Sequence, residues 1–210
     1  MKRLFAIISV LACVAAFAAV SCQKEAKDSI KLDKNSVNVS YKGEVVTMKV
    51  TASGEFSSQP SAEWLSASGA DITVKPNYYE ANRSADVVFH CGAESATVTV
   101  NQEGSGPKEV TSLAIDAMAA ADWATFWELV DMPDAQKGQI MSAYNEKTSE
   151  DGEGSDFKGY EILSETIDNT KGEAVVKVKY LYEEHDPSEY DWSLLKKDGR
   201  WRIPASALGK

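Results

Sequence analysis

The chain has 210 residues, 43% of them hydrophobic, and its 32 acidic against 22 basic side chains give a formal net charge of −10. Such a surface repels the phosphates of nucleic acid and excludes that class of partner. The length suits one or two domains, and three cysteines, Cys13, Cys22 and Cys91, are too few for a disulfide framework.

The chain begins Met1-Lys2-Arg3 and then runs from Leu4 to Val20 without a charge. A basic start, an apolar stretch and small residues at its end make an export signal. About seventeen apolar residues could also just cross a bilayer as a retained anchor. The run stops, however, at Ala19-Val20-Ser21-Cys22 and passes at once into Gln23-Lys24-Glu25. That ending resembles a bacterial lipobox, in which the cysteine is diacylated on sulfur and becomes the first residue after cleavage. The resemblance implies a lipoprotein signal peptide over 1–21, lipidation of Cys22 and a tether over 22–29. Two or three acyl chains hold stably where one holds only marginally, so the protein is expected to be lipid-anchored in the outer membrane and not to span it. Gln23-Lys24-Glu25 resembles the signal that sends lipoproteins of the Bacteroidetes group to the cell surface. Ala26 and Lys27 depart from that signal and leave a periplasm-facing position open. Asp28-Ser29-Ile30 resembles an O-glycosylation acceptor of the same group. Loss of 1–21 removes Lys2 and Arg3 and no acid, which takes the charge from −10 to −12. Cys91 then stands alone, expected as a small buried hydrophobe at the end of a strand.

Residues 30–103 alternate like half-buried strands. The inward set is Val37 and Val39; Val46, Met48, Val50 and Ala52; Ile72 and Val74; Ala85, Val87 and Phe89; Val98 and Val100. Lys42-Gly43-Glu44, Ser66-Ala67-Ser68-Gly69 and Gly92-Ala93 read as turns between them. The spacing predicts an all-β immunoglobulin-like sandwich.

Within it, Trp64, Asn77, Arg83, Val98, Val100 and Gln102 stand in the order of a BACON domain. The hallmarks of that family are the Trp, an Asn-rich turn leading to Arg, and a closing strand ending Val-x-Gln. The resemblance implies a surface module near glycans, since the family is named for carbohydrate binding, while many members serve as spacers. Trp64 either fills the core with its N–H satisfied or offers an indole face to a sugar ring. Tyr78 and Tyr79, in the turn after Asn77, are candidate sugar contacts or caps of the sandwich end.

Gly104-Ser105-Gly106-Pro107 reads as a linker over 104–107. After it, Leu113, Ala114, Ala117, Ala121, Ala124 and then Trp127 or Leu129 recur at helical spacing, and Asp131-Met132-Pro133 ends the helix. A second, shorter helix is expected to carry Ile140, Met141 and Tyr144, followed by an acidic glycine-rich loop over 148–156. From Phe157 the period becomes two, through "YEILSETID", "EAVVKVKYLYE", "EYDWSLLKK" and "RWRIPA", with Asp198-Gly199 joining the last pair as a hairpin. Ala174, Val176, Val178, Tyr180 and Tyr182 share one face of the long strand. Helices packed on a curved antiparallel sheet make an α+β layer.

Asp122, Trp127, Ala174, Val176, Lys197, Asp198, Gly199, Trp201 and Ile203 fit the nuclear-transport-factor-2-like fold, and residues 108–205 resemble lipoprotein families with that cone-shaped architecture. The resemblance implies a cavity between the first helix and the concave sheet face, walled by Trp123 or Trp127, Tyr180, Tyr182, Trp192 and Trp201. These rings suit a sugar or other amphipathic ligand, or they are simply the core. Relatives include isomerases and dehydratases, which need a general base and a polarising donor. Of the two histidines, His90 decorates a strand and His185 sits among Glu183, Glu184 and Asp186, a poor setting for a neutral base. The acidic loop over 148–156 lacks calcium-loop spacing, and the segment around His185 lacks the second histidine that zinc would usually take. The sequence therefore predicts a non-catalytic envelope binding or accessory module that contacts glycans, without metal or cofactor. A small-molecule-converting enzyme and a purely structural envelope component are the alternatives.

Overall fold

The computed structural model describes residues 27–133, 136–138 and 156–208. The signal, Cys22, the helix expected at Ile140 to Tyr144 and nearly all of the acidic loop lie outside the described residues. No helix among those described is long and apolar enough to cross a membrane.

The protein is mostly β. In its first half, β1 (Ile30–Leu32) pairs with β4 (Val50–Ala52). A four-stranded sheet follows the order β2 (Ser36–Val39), β9 (Glu94–Gln102), β8 (Arg83–Cys91), β5 (Ser57–Pro60), and a three-stranded sheet the order β3 (Glu44–Thr47), β7 (Asp71–Val74), β6 (Leu65–Ser68). Alternation sends Val39, Val87, Phe89, Val98 and Val100 from the larger sheet and Leu65, Ile72 and Val74 from the smaller into one core. Cys91 is buried there, its Sγ 3.7 Å from Ser53 Oγ.

Two expectations for this half are corrected. Val46 to Ala52 is not one strand: β3 joins the three-stranded sheet, the chain crosses at buried Met48, and β4 joins β1. The apolar alternation continues through the crossing, because both segments face the same core. Ser66-Ala67-Ser68 is not a turn but most of β6, paired with β7, and only Gly69 turns, at φ +58°.

In the second half, helix α1 (Pro107–Ala119) starts with proline at its first position, where the missing N–H costs nothing. The long helix read from the sequence is in fact two. Ala121 adopts φ +53°, and Asp122 begins α2 (Trp123–Leu129) by accepting the Thr125 N–H with its carboxylate at 3.1 Å. A capping acid outweighs alanine propensity at this point. Asp122→Ala should lower stability by about 1 kcal/mol in chemical denaturation; an unchanged midpoint would show that packing alone sets the break.

The remaining strands are β10 (Val130–Asp131), β11 (Phe157–Asp168), β12 (Glu173–Tyr182), β13 (Ser188–Lys197) and β14 (Arg200–Pro204), in sheet order β10-β14-β13-β12-β11. All are antiparallel except β10 with β14. Asp198 and Gly199 both have positive φ, +52° and +74°, as a two-residue hairpin requires. Bulges in β11 at Phe157/Gly159 and Ile162/Ser164 bend the sheet around α1. Val110, Ala114, Val176, Val178, Leu194 and Ile203 belong to a second core.

Candidate functional site

The cleft in the second half follows from one strand. Along β12 the inward face reads Ala174, Val176, Val178, Tyr180, Tyr182; the first three are buried and the last two only half so. The same face of β13, in register, carries Leu194, Trp192 and Tyr190, and exposure rises to 55% at Tyr190. The core thus opens toward one end of the sheet. Trp123 and Phe126 of α2 form the opposite wall, and Pro204 with a single 3-10 turn, Ala205–Ala207, closes the side. The hollow measures about 640 Å³, within the range of small-ligand sites.

Its polar chemistry is sparse. The Trp192 indole N–H donates to the Tyr180 hydroxyl oxygen at 2.9 Å. The Tyr182 and Ser188 hydroxyls lie 3.3 Å apart. Tyr190 stands edge-on to Tyr180, centroids 5.5 Å apart at 78°, and Phe157 is tilted against it at 6.1 Å. Burial pushes the Tyr180 phenol up to about 12. Asp191 brings the lone carboxylate among the described lining residues, and alternation puts it on the outer face, 3.7 Å from Lys177 Nζ. No histidine, lysine or arginine lines the cleft among the described residues, and no cluster of metal-ligating side chains occurs among them.

Of the expected aromatic wall, Tyr180, Tyr182 and Trp192 meet here, and Trp123 is the helix residue that joins them. Trp127 and Trp201 do not. Trp127 is 3% exposed and packs its ring on Phe126, centroids 5.1 Å apart. Trp201 is 1% exposed, opposite Lys196 on the inner face, with its indole N–H donating to Glu80 Oε1 at 3.1 Å. Tyr190 and the segment after Ile203 were missed. The alternation at Trp192 marks the former two residues earlier, while nothing in "PASAL" signals the latter.

The three candidates in the first half are engaged within the chain. The Arg83 guanidinium lies 4.3 Å from the Trp64 ring centroid and covers the face a sugar would need. Arg83 also donates through Nε to Gln102 Oε1 at 2.8 Å, and through Nη2 to the carbonyls of Lys75 and Pro76 at 2.8 and 3.0 Å. Asn77, fully buried, donates to the carbonyls of Ala81 and Glu103 and accepts the Tyr79 N–H. Tyr78 and Tyr79 hold Arg200 of β14, centroids 5.2 and 5.5 Å from its guanidinium carbon, and burial raises the Tyr78 phenol above its ordinary value.

Residues 54–103 match the family model BACON, described as "Putative binding domain, N-terminal". Within this BACON match Arg83 and Gln102 are hydrogen-bonded to each other, Arg83 covers the Trp64 ring, and Asn77 ties backbone groups of Tyr79, Ala81 and Glu103, so the residues carrying the likeness are engaged in holding the fold. Comparison with curated proteins finds no match. Among solved structures, a Bacteroides ovatus GH5 xyloglucanase in complex with a XXXG heptasaccharide aligns over 37% of this chain at 20% identity and TM-score 0.35, and the alignment spans 19% of the xyloglucanase chain. A Campylobacter jejuni protein titled "Putative NTF2-like transpeptidase" aligns over 48% of this chain and 98% of its own, at 18% identity and TM-score 0.38.

The loop of the BACON match reaches the second half beyond Arg200. Glu80 accepts from Trp201 and pairs with Lys196, its backbone N–H donates to Gly199 O at 3.0 Å, and Lys42 pairs with Asp116 of α1 at 2.6 Å. Ser105, fully buried between the halves, donates its N–H to Tyr79 O at 2.7 Å. The Lys196 ammonium and then the Trp201 N–H hold the Glu80 carboxyl below the ordinary range. A lowered folded value stabilises fully at neutral pH and fades as acid protonates the group. Glu80→Gln should therefore flatten the loss of stability between about pH 5 and pH 3, a small effect because both partners are partly exposed. Urea midpoints across that window read it, and identical acid slopes would exclude the coupling.

Proposed function

We propose that the protein is an envelope-anchored, non-catalytic binding module that contacts glycans at the cell surface. In this reading cleavage leaves Cys22 acylated, residues 22–29 tether the chain, and 30–103 form an immunoglobulin-like sandwich. After the 104–107 linker, 108–205 form the α+β cone. The observation that carries the binding role is the cleft, whose aromatic walls come from α2, β12 and β13. The BACON match supports a binding role in general terms. The core shared by the four- and three-stranded sheets supports the sandwich. Because the first half's rings are taken by Arg83 and Arg200, the glycan contact is assigned to the cleft.

Among the described lining residues Asp191 is the lone charged group, with no histidine, lysine or arginine beside it to complete the acid–base pair that proton transfer needs, which favours binding over turnover. Glycan arrays and mucin pull-downs with the full chain test the reading, with selective retention expected; a uniformly blank result retires the carbohydrate part. For the anchor, mass spectrometry should find a diacylated N-terminal Cys22 in membrane fractions, and a free thiol there would end it.

A further inference from the structure

Resting on the cleft as the binding site, we infer that its ligand is an uncharged saccharide received by the Tyr180 hydroxyl as donor, and that acidic and sulfated saccharides are rejected.

Charge comes first. An anion entering this hollow would leave its hydration shell and find no cation among the described lining residues. The one acid, Asp191, points to the other face and pairs with Lys177. Aromatic faces are electron-rich, so those of Tyr182, Tyr190 and Trp192 are unfavourable to an anion, and the neutral hydroxyl donors of the wall do not replace a full countercharge. The chain's net charge of −10 repels it further at low salt.

The polar atom comes second. Tyr180 accepts the Trp192 N–H, which fixes the phenol, but no group among the described residues accepts the phenol's own hydrogen. A half-buried donor without an acceptor is expensive. Solvent entering the cleft can accept from it, and a sugar hydroxyl or ring oxygen would take the place of that solvent. A purely apolar ligand would strand it. An ammonium ligand is drawn to aromatic faces, yet it brings donors to a donor and meets no carboxylate inside.

The walls supply the rest. Tyr190 at the mouth is 55% exposed, with its ring at 78° to that of Tyr180, and this exposed aromatic surface can receive the CH side of a pyranose. Because the Tyr180 phenol is raised to about 12, the donor persists at neutral pH, and binding should be flat between about pH 5 and 9.

The test titrates the full chain, followed by tryptophan fluorescence and calorimetry, with cellohexaose, maltohexaose and mannohexaose against oligogalacturonate and chondroitin sulfate fragments. An apolar dye serves as a further probe. At least one neutral oligosaccharide should bind about tenfold or more tighter than every charged one. Tyr180→Phe should weaken that binding by up to about tenfold. Since Tyr180→Phe also removes an acceptor from Trp192, Trp192→Phe is the companion variant, and it should keep the preference for neutral sugars. Equal or tighter binding of the charged sugars overturns the selectivity while leaving the cleft a glycan site. Undiminished affinity in a folded Tyr180→Phe overturns the donor role. Dye binding without any saccharide binding overturns the ligand class but not the site, and silence from every probe removes the binding reading itself.

Discussion

Trp201→Ala should lower folding stability by about 3–5 kcal/mol, the cost of emptying a large aromatic site in a core. Trp201 is 1% exposed and sits in the same cluster as Leu194 and Ile203, so little can relax into the space. The loss extends beyond volume. The indole N–H is a ligand of Glu80 in the first half, and the Lys196 ammonium lies 5.6 Å from the ring centroid while pairing with the same carboxylate. Removing the ring therefore loosens the second core and the seam between the halves together. The denaturant midpoint measures the sum. Trp201→Phe keeps most of the volume and should fall between wild type and alanine, and a midpoint shift below about 1 kcal/mol for Trp201→Ala would show that the site collapses without penalty.

Gln102→Ala should be the second most damaging change, at about 3 kcal/mol. The side chain is 1% exposed; Nε2 donates to the carbonyls of Ser40 and Lys75 at 3.1 and 3.0 Å, and Oε1 accepts from Arg83 at 2.8 Å. Deleting it leaves the Arg83 Nε–H without its acceptor, worth about 1–3 kcal/mol if buried and unmet. It also takes one donor each from the Ser40 and Lys75 carbonyls, which keep the Gly43 N–H and Arg83 Nη2. The emptied volume adds to the loss, though these contributions do not simply sum. Gln102→Glu isolates the donor half: it can still accept from Arg83 but faces two carbonyls with oxygens. Its stability should drop as far as that of the alanine variant. Hydrogen exchange should localise the loss to β2, the end of β9 and the 75–83 loop, and exchange rates unchanged there would refute this role.

The strands of the second half were readable because period two, the Asp198-Gly199 turn and the aromatic positions all agree. Tyr180, Tyr182 and Trp192 followed from that face directly. The break between α1 and α2 was not, because alanines at 117, 119, 120, 121 and 124 suit either a continuous helix or a kinked one, and only the Asp122 cap decides. The same break rotates α2, which turns Trp127 into the core and Trp123 to the cleft. In β5 nothing marked the strand, since Ser57, Ser58, Gln59 and Pro60 carry no apolar alternation. The rings at Trp64, Tyr78 and Tyr79 were visible as sugar-binding types, but their occupants were not. Arg83 is nineteen positions from Trp64, and Arg200 is more than a hundred from Tyr78. Covered faces are a property of long-range packing that residue type cannot disclose.

The grip of the 77–80 loop on the β13–β14 hairpin bears on how the molecule can be dissected. Anyone trimming the chain at Gly106 to harvest the C-terminal portion by itself would uncover Arg200, the indole of Trp201 and Lys196 in one stroke. That fragment should be sticky and prone to aggregate, and co-expression of the missing portion as a separate polypeptide should rescue its solubility.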